Sequence, residues 1–304
     1  MKAAQFSEFG GPEVLEIVDL PEPHPGPGQV RIVVHATGVN ATEWKIRKGE
    51  LSFGAPLPQT TGRDVAGVVD EIGDGVTDVA VGDRVFGVSD DGAGAAEYTL
   101  ITHRSIIPPS LGFIDAAGLP IALETATRAI DQLGVTSGRT LLINGAAGGI
   151  GSTAVQLAVA RGARVIGVAS AANQHYLSVL GAEPVTYGDG LAERVRALAP
   201  GGVDVALDVA GNGVLRELVE FAGGPQNVVT LADFDGAKEH GVHFSNGFVD
   251  GHGFRALATV GELIETGRFW LPVERTFPLA GIAEAHRVSE AGRIRGRLVL
   301  VVKS

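Results

Sequence analysis

The 304-residue chain has no cysteine, which removes disulfides, thiolate nucleophiles and cysteine-ligated zinc together. It has no apolar run approaching the ~20 residues that cross a bilayer, so no membrane partner is expected. Its N-terminus, MKAAQFSEFGG, lacks the apolar core of a signal peptide, and a cytoplasmic protein is the expectation. No basic block occurs and the net charge is −11, which argues against a nucleic-acid surface. There is no G-x-S-x-G elbow to support a serine hydrolase. No internal repeat is visible. The 44 glycines are not periodic and punctuate turns, so neither collagen nor low-complexity disorder fits.

What is present is enough for two ordinary domains, with 45% hydrophobic residues to fill their cores. The chain is organised around Thr140 to Ala160, TLLINGAAGGIGSTAVQLAVA. Thr140 to Ile143 is an apolar run of strand length. GAAGGIG follows at 145–151, and Ile150, Ala154, Leu157 and Ala158 then recur at helical spacing. Strand, glycine turn and helix is the context a dinucleotide fingerprint requires. Glycines let the backbone approach a pyrophosphate, and the free N–H groups of a helix start hold its charge. As G-x-G-x-x-G, the positions are Ala146, Gly148 and Gly151, so the first glycine is replaced. Small residues also suit any tight strand–helix turn. The next apolar run, Arg164 to Ala169, completes a β-α-β unit of about 30 residues and favours a cofactor site.

Met1 to about Ile121 reads as mostly β, with strands expected at 15–20, 29–39, 65–72, after Gly82 and at 95–101. Pro21 to Gly28 is a stiff, turn-rich connector. From Ile121 the period changes. Helices are expected at 122–133, 173–180, 191–198 and 256–266, with strands at 203–209 and 227–231. That alternation implies a parallel sheet covered on both faces. After Phe269 the pattern turns β again and ends in RLVLVV. The expected fold class is α/β. A β-rich domain (1–121 and 269–304) is interrupted by an inserted dinucleotide-binding domain (122–268).

Six motifs occur in order: GVNATEWKIRKG (38–49), TTGRDVAGVVDEIG (60–73), VGDRVFG (81–87), AAEY (95–98), INGAAGGIG (143–151) and RIRGRLVL (293–300). Together they resemble the medium-chain dehydrogenase/reductase superfamily, in particular its zinc-free quinone oxidoreductase branch related to zeta-crystallin. The resemblance implies a GroES-like catalytic domain and a Rossmann domain. It implies NADPH-linked reduction of quinones or enones, and a homodimer formed along an edge of the Rossmann sheet.

In zinc-dependent members of that superfamily, the first catalytic cysteine falls at Asn40 and a His-Glu pair falls at Arg63 and Asp64. Arginine remains protonated and cannot ligate. The structural four-cysteine lobe is missing. His240, His243, Asp250 and His252 have a spacing that could suit a metal, but they also read as a strand and loop, so no metal is expected.

Asn40 is the candidate catalytic residue, able to donate and accept hydrogen bonds near the nicotinamide ribose or the acceptor carbonyl. Thr125, in LETAT, matches the family segment beside the nicotinamide, although Glu124 replaces the usual leucine. Ala147, Gly148, Gly149 and Ile150 would meet the pyrophosphate, and Leu231 lies after a later strand. Ser170 stands where NAD enzymes place an acid. Its lack of charge permits a 2′-phosphate, with Asn173 and Tyr187 as further donors, or Ser170 and Asn173 simply cap the next helix. A cation expected in this loop is missing, so NADPH is the expected cofactor and NADH is possible. Lys45 occupies a position held by tyrosine in several quinone reductases; it could stabilise an oxyanion or be solvated. Trp44 and Phe53 are candidate substrate-pocket walls or core.

Short-chain reductases use Tyr-x-x-x-Lys, and none of Tyr98, Tyr176 and Tyr187 is followed by lysine at that spacing. The competing functions are an enoyl-thioester reductase and a nucleotide-binding sensor or structural protein without turnover.

Overall fold

The computed structural model describes residues 1–52, 54–250, 253–292 and 294–303, with the side chain of Phe248 left aside. Phe53, His252 and Arg293 lie outside the described residues. The chain divides into two compact units. One comprises 1–121, 257–266 and 270–304; the other comprises 122–256 and 267–269.

In the first unit, β1 (Lys2–Phe6) pairs antiparallel with β2 (Glu16–Asp19) and with β4 (Gln59–Thr60). The longer strands are β3 (Val30–Val39), β5 (Asp64–Ile72), β6 (Arg84–Ser89) and β7 (Tyr98–Ile106). Along β3, Val30, Ile32, Val34 and Ala36 are buried, the period of two that a one-sided strand requires. Val30, Ile32 and Val34 share a core with Val65, Val69, Val85 and Ile101 from the facing strands. The same unit holds the short helices α1 (Ala41–Arg47) and α2 (Phe113–Ala117). Helix α3 (Pro120–Gln132) then carries the chain into the second unit.

The second unit contains β8 (Thr140–Asn144), α4 (Gly149–Ala160), β9 (Arg164–Ala169), β10 (Glu183–Thr186), β11 (Val205–Asp208), β12 (Val228–Thr230) and β13 (His243–Phe244). Among the described residues the sheet runs β10-β9-β8-β11-β12-β13, with every pairing parallel. Leu141 and Ile143 face one hydrophobic cluster and Leu142 faces another, so β8 is buried on both sides. That explains why it reads as a continuous apolar run rather than an alternation. Strand order reverses between β8 and β11, and the glycine turn follows β8. It therefore occupies the switch point where open α/β sheets bind ligands.

The chain then returns to the first unit through β14 (Val273–Pro278) and β15 (Arg297–Val301). They complete a sheet ordered β14-β15-β3-β5-β6-β7, and a further β3–β7 pairing curls it on itself.

Three expectations need correction. The stretch after Phe269 is not uniformly β, because Ile282–Ala291 is a helix. Its buried Ile282, Ala285 and His286 give a helical stripe that the flanking strands obscure. Residues 41–47 form α1 directly after β3, where the sequence pattern shows no helix. Finally, β7 begins at Tyr98; Ala96 makes only a single bridge to Ala3.

Candidate functional site

The candidate residues fall into two groups, one in each unit. In the first unit β3 ends at Val39 and delivers Asn40 to the N-cap of α1. The Asn40 side chain does not cap the helix. Its Nδ2 donates to Glu43 Oε1 and to Asp64 Oδ2, both at 3.1 Å. Its Oδ1 accepts from Arg297 Nη2 at 2.8 Å. The same guanidinium nitrogen pairs with Asp64. Asp64 also accepts the Ile121 N–H at 2.7 Å, and Glu43 accepts the Arg63 N–H at 3.1 Å. Asn40, Glu43, Asp64 and Arg297 are all buried.

Both amide hydrogens of Asn40 are therefore committed. Its remaining capacity is the second lone pair of Oδ1, which accepts and cannot donate. Burial, reinforced by the neighbouring Asp64 charge, pushes the Glu43 carboxyl up to about 7. Burial also pushes Asp64 upward, while Arg297 and the Ile121 N–H draw it back. Glu43 is thus the member that holds a proton near neutrality.

This group does not fit zinc. The amide nitrogen of Asn40 faces two carboxylates, the arginine side chain at position 63 has no acceptor to offer a metal, and Asp64 is tied to Arg297. Elsewhere, His243 Nε2 lies 3.1 Å from Asp250 Oδ2, and that oxygen also accepts the Asn246 N–H. His240 ends the helix Phe234–His240. Among the described residues no group of three histidine, aspartate or glutamate side chains converges.

Lys45 lies on α1 with its Nζ 5.6 Å from the Trp44 ring centroid, and the Lys48 Nζ lies 5.5 Å from the same ring. The indole is thus attended by two cations.

In the second unit the candidate residues gather at the carboxyl ends of the parallel strands. Gly148 is the N-cap of α4 and no side chain caps the helix. The first-turn N–H groups of Gly149, Ile150 and Gly151 therefore point outward for a ligand. The two flanking glycines have different tasks. A Cβ on Gly151 would lie 2.2 Å from the Gly145 carbonyl oxygen, so that position is set by packing. A Cβ on Gly148 would meet only that oxygen, at 3.8 Å, so the fold leaves its space open. A dinucleotide pyrophosphate fits this donor set.

At the end of β9, Ser170 Oγ accepts from Asn173 Nδ2 at 3.2 Å and does not cap the following turn. Tyr187 continues β10, its N–H donating to the Ala169 carbonyl at 3.3 Å, and its side chain is exposed. Ser170, Asn173 and Tyr187 thus occupy neighbouring strand ends. Arg194 reaches this loop, but its guanidinium donates to the carbonyls of Thr186, Tyr187, Gly188 and Asp189. Arg164 is paired with Glu183.

Leu231 follows β12, with its N–H on the Asp208 carbonyl at 2.9 Å. Buried Asp208 accepts from Asn144, Thr230 and the N–H groups of Ala210 and Gly211, which ties the ends of β8, β11 and β12 together. Thr125 lies on α3, and its hydroxyl donates to Glu124 at 2.8 Å.

Sequence reasoning missed Glu43, Arg297 and Asp208 as site-building residues. Each stands inside a motif or strand already recognised, but only the fold reveals the partner that buries it.

Residues 26–115 match the alcohol dehydrogenase GroES-like domain and residues 180–300 match the zinc-binding dehydrogenase family. The chain is 32% identical to a quinone oxidoreductase of Pongo abelii, over 99% of this chain and 98% of that protein. It is 30% identical to a 2-methylene-furan-3-one reductase of Solanum lycopersicum, over 99% of this chain and 79% of that protein. Other curated quinone oxidoreductases are matched over about half of their length. A mycobacterial protein solved in complex with NADPH superposes with a TM-score of 0.85 at 29% identity, covering 99% of this chain and 100% of that one.

Proposed function

The chain belongs to the quinone oxidoreductase branch of the medium-chain dehydrogenase/reductase family, and from that membership we propose that it reduces quinones or α,β-unsaturated carbonyls with NADPH and without zinc. The observation that carries this reading is the engagement of Asn40, Arg63 and Asp64. Asn40 and Asp64, with the Arg63 backbone N–H, serve a protein hydrogen-bond network instead of a metal. The names of the Pongo and Solanum relatives, a quinone reductase and a reductase of a conjugated ketone, support the substrate class.

Bound NADPH would supply a hydride from nicotinamide C4. Quinones and enones accept it with little help, because the resulting phenolate or enolate spreads its charge and solvent protonates it. The protein's task is then proximity and orientation. The N–H groups at the start of α4, with Ala147 and Gly148 to Ile150, would hold the pyrophosphate. Ser170, Asn173 and Tyr187 would receive the adenosine 2′-phosphate through hydrogen bonds. Arg194 is turned to backbone carbonyls and Arg164 to Glu183, so neutral donors carry the contact and the preference over NADH is modest. Thr125 and Leu231 would line the nicotinamide side. Asn40 would accept a hydrogen bond from a ribose hydroxyl through Oδ1. Lys45 is a candidate to stabilise a developing oxyanion. The chains would form a homodimer along β13, which is an edge strand of the sheet among the described residues.

NADPH oxidation assayed over quinones, enones and enoyl thioesters tests the reading. Turnover is expected with the first two. Activity confined to enoyl thioesters would move the substrate class, and binding without turnover on any acceptor would make the protein a sensor.

A further inference from the structure

Helix α3 carries a buried ion pair that hydride transfer does not itself require. Arg128 Nε donates to Glu124 Oε1 at 2.8 Å, and both residues, with Thr125, are buried. The resemblance leads one to expect leucine at position 124, where this chain has glutamate. Burying two charges is costly unless they are paired and their remaining valences are satisfied. Here further bonds are made. Arg128 Nη1 donates to Ser245 Oγ, and the Gly253 N–H donates to Glu124 Oε1 at 3.2 Å. A Cβ on Gly253 would lie 2.6 Å from the Glu124 carbonyl oxygen, so the backbone is pressed against α3 at that point. Ser245 and Gly253, both beyond β13, are thus anchored to one ion pair.

The consequence lies in the fourth partner. Thr125 Oγ1 donates to Glu124 Oε2 at 2.8 Å. Burial alone would raise the Glu124 carboxyl, but the Arg128 guanidinium and the Thr125 hydroxyl outweigh it and hold the group below the usual carboxylate range. An ionised carboxylate only accepts, so the hydroxyl proton of Thr125 is committed to it. What Thr125 offers to any ligand is lone pairs.

We propose that the Glu124–Arg128 pair is a positioning device that makes Thr125 an acceptor-only contact, so that it selects the NH₂ edge of the nicotinamide carboxamide and fixes the orientation of that group. The inference rests on the reading that Thr125 faces the nicotinamide. Glu124 acts through Thr125 and touches no reacting atom.

The experiment compares two reduced cofactors that differ only at this group. NADPH carries a carboxamide. Its 3-acetylpyridine analogue has the carbonyl but no NH₂ to donate. Dissociation constants for both, from fluorescence titration, give a ratio in which adenine, pyrophosphate and general stability cancel. Wild-type protein should favour NADPH by about 3–10-fold, the size of one hydrogen bond. Thr125→Ser should keep that ratio, because its hydroxyl can still be held by Glu124. Thr125→Val should bring it near one.

Glu124→Gln should do the same. Its oxygen is drawn to Arg128 and the Gly253 N–H, so its NH₂ faces Thr125 and releases the hydroxyl proton. If Glu124→Gln does not fold, the charge-balanced double substitution Glu124→Leu with Arg128→Leu removes the same constraint and should also lower the ratio. An unchanged ratio in Thr125→Val would overturn the placement of Thr125 itself, and the inference with it. A ratio lost in Thr125→Val but retained in Glu124→Gln or the double variant would overturn the inference and leave the placement standing.

Discussion

At the scale of single residues, Asn40 and Glu43 give the sharpest expectations. Asn40 bridges two carboxyls and a guanidinium. Replacing it with alanine would remove the proposed ribose contact and leave the charged partners to rearrange. A roughly 10–100-fold loss in hydride transfer at saturating NADPH is expected. Unchanged hydride transfer and cofactor affinity in Asn40→Ala would place the active site elsewhere. Glu43 ties the group to pH. Its folded-state carboxyl is raised from 4.5 to about 7 by burial, so the folded protein binds a proton more tightly than the unfolded chain. Its contribution is fully present below pH 4.5 and is lost as pH rises through about 7, by roughly 3 kcal/mol at most. Glu43→Gln should therefore melt higher than wild type above pH 7 and flatten the stability profile between pH 4.5 and 7. Identical melting curves for the two proteins across that range would show that Glu43 does not hold the proton. Gly148 supplies a third case. Because the fold leaves room for a Cβ there, Gly148→Val should fold normally yet lose NADPH binding by calorimetry. Retained affinity in the folded variant would relocate the pyrophosphate.

At the scale of elements, α1 and the helix Ile282–Ala291 pack together around a second charged pair. Arg47 is fully buried and bonds to Glu290, while His286 is buried beside it. Burial, and then the Arg47 charge, lower the His286 imidazole from 6.5 to about 3. Here the sign is opposite to that of Glu43. The stability that depends on neutral His286 is present above pH 6.5 and lost as pH falls toward 3. His286→Leu should weaken that acid limb in a urea or thermal titration; an unaltered limb would assign acid sensitivity to the carboxylates alone. These two helices are also the elements least legible in the sequence. Seven residues between a strand and a glycine give α1 too few turns to show a period, and its Glu43 and Arg47 are charged residues turned inward. The Rossmann strands are readable because β8 and β9 are apolar on both faces, and the alternation of helices and strands implies a parallel sheet. The glycine turn is readable for a steric reason, since Gly151 answers a close approach to Gly145. Arg297 and Asp64 lie 233 residues apart in the chain. No local pattern can announce a pair that only the return of β15 to β3 creates. The spacing of Ser170 and Asn173 suggests a cap, but their side chains bond to each other and leave the turn uncapped.

At the scale of the whole molecule, one chain carries Asn40 in a β-rich unit and the glycine turn in a parallel sheet. No helix among the described residues is long and apolar enough to cross a membrane. Sedimentation should give about twice the chain mass of 31.3 kDa if β13 pairs with a second copy; a single-chain mass at micromolar concentration would contradict that pairing. On the proposed reading, cofactor choice rests on the strand ends, where Ser170 takes the place of an acid. Ser170→Asp should turn a modest preference for NADPH into one for NADH, by setting a carboxylate against the 2′-phosphate. Equal kinetics with both cofactors in the parent protein would count against a phosphate site. Metal-free hydride transfer to conjugated carbonyls is tested most directly by stopped-flow NADPH oxidation after exhaustive chelation. Undiminished reduction of quinones and enones is predicted, with ethanol oxidised very poorly. Loss of turnover on chelation with recovery on added zinc, or efficient ethanol oxidation, would contradict it.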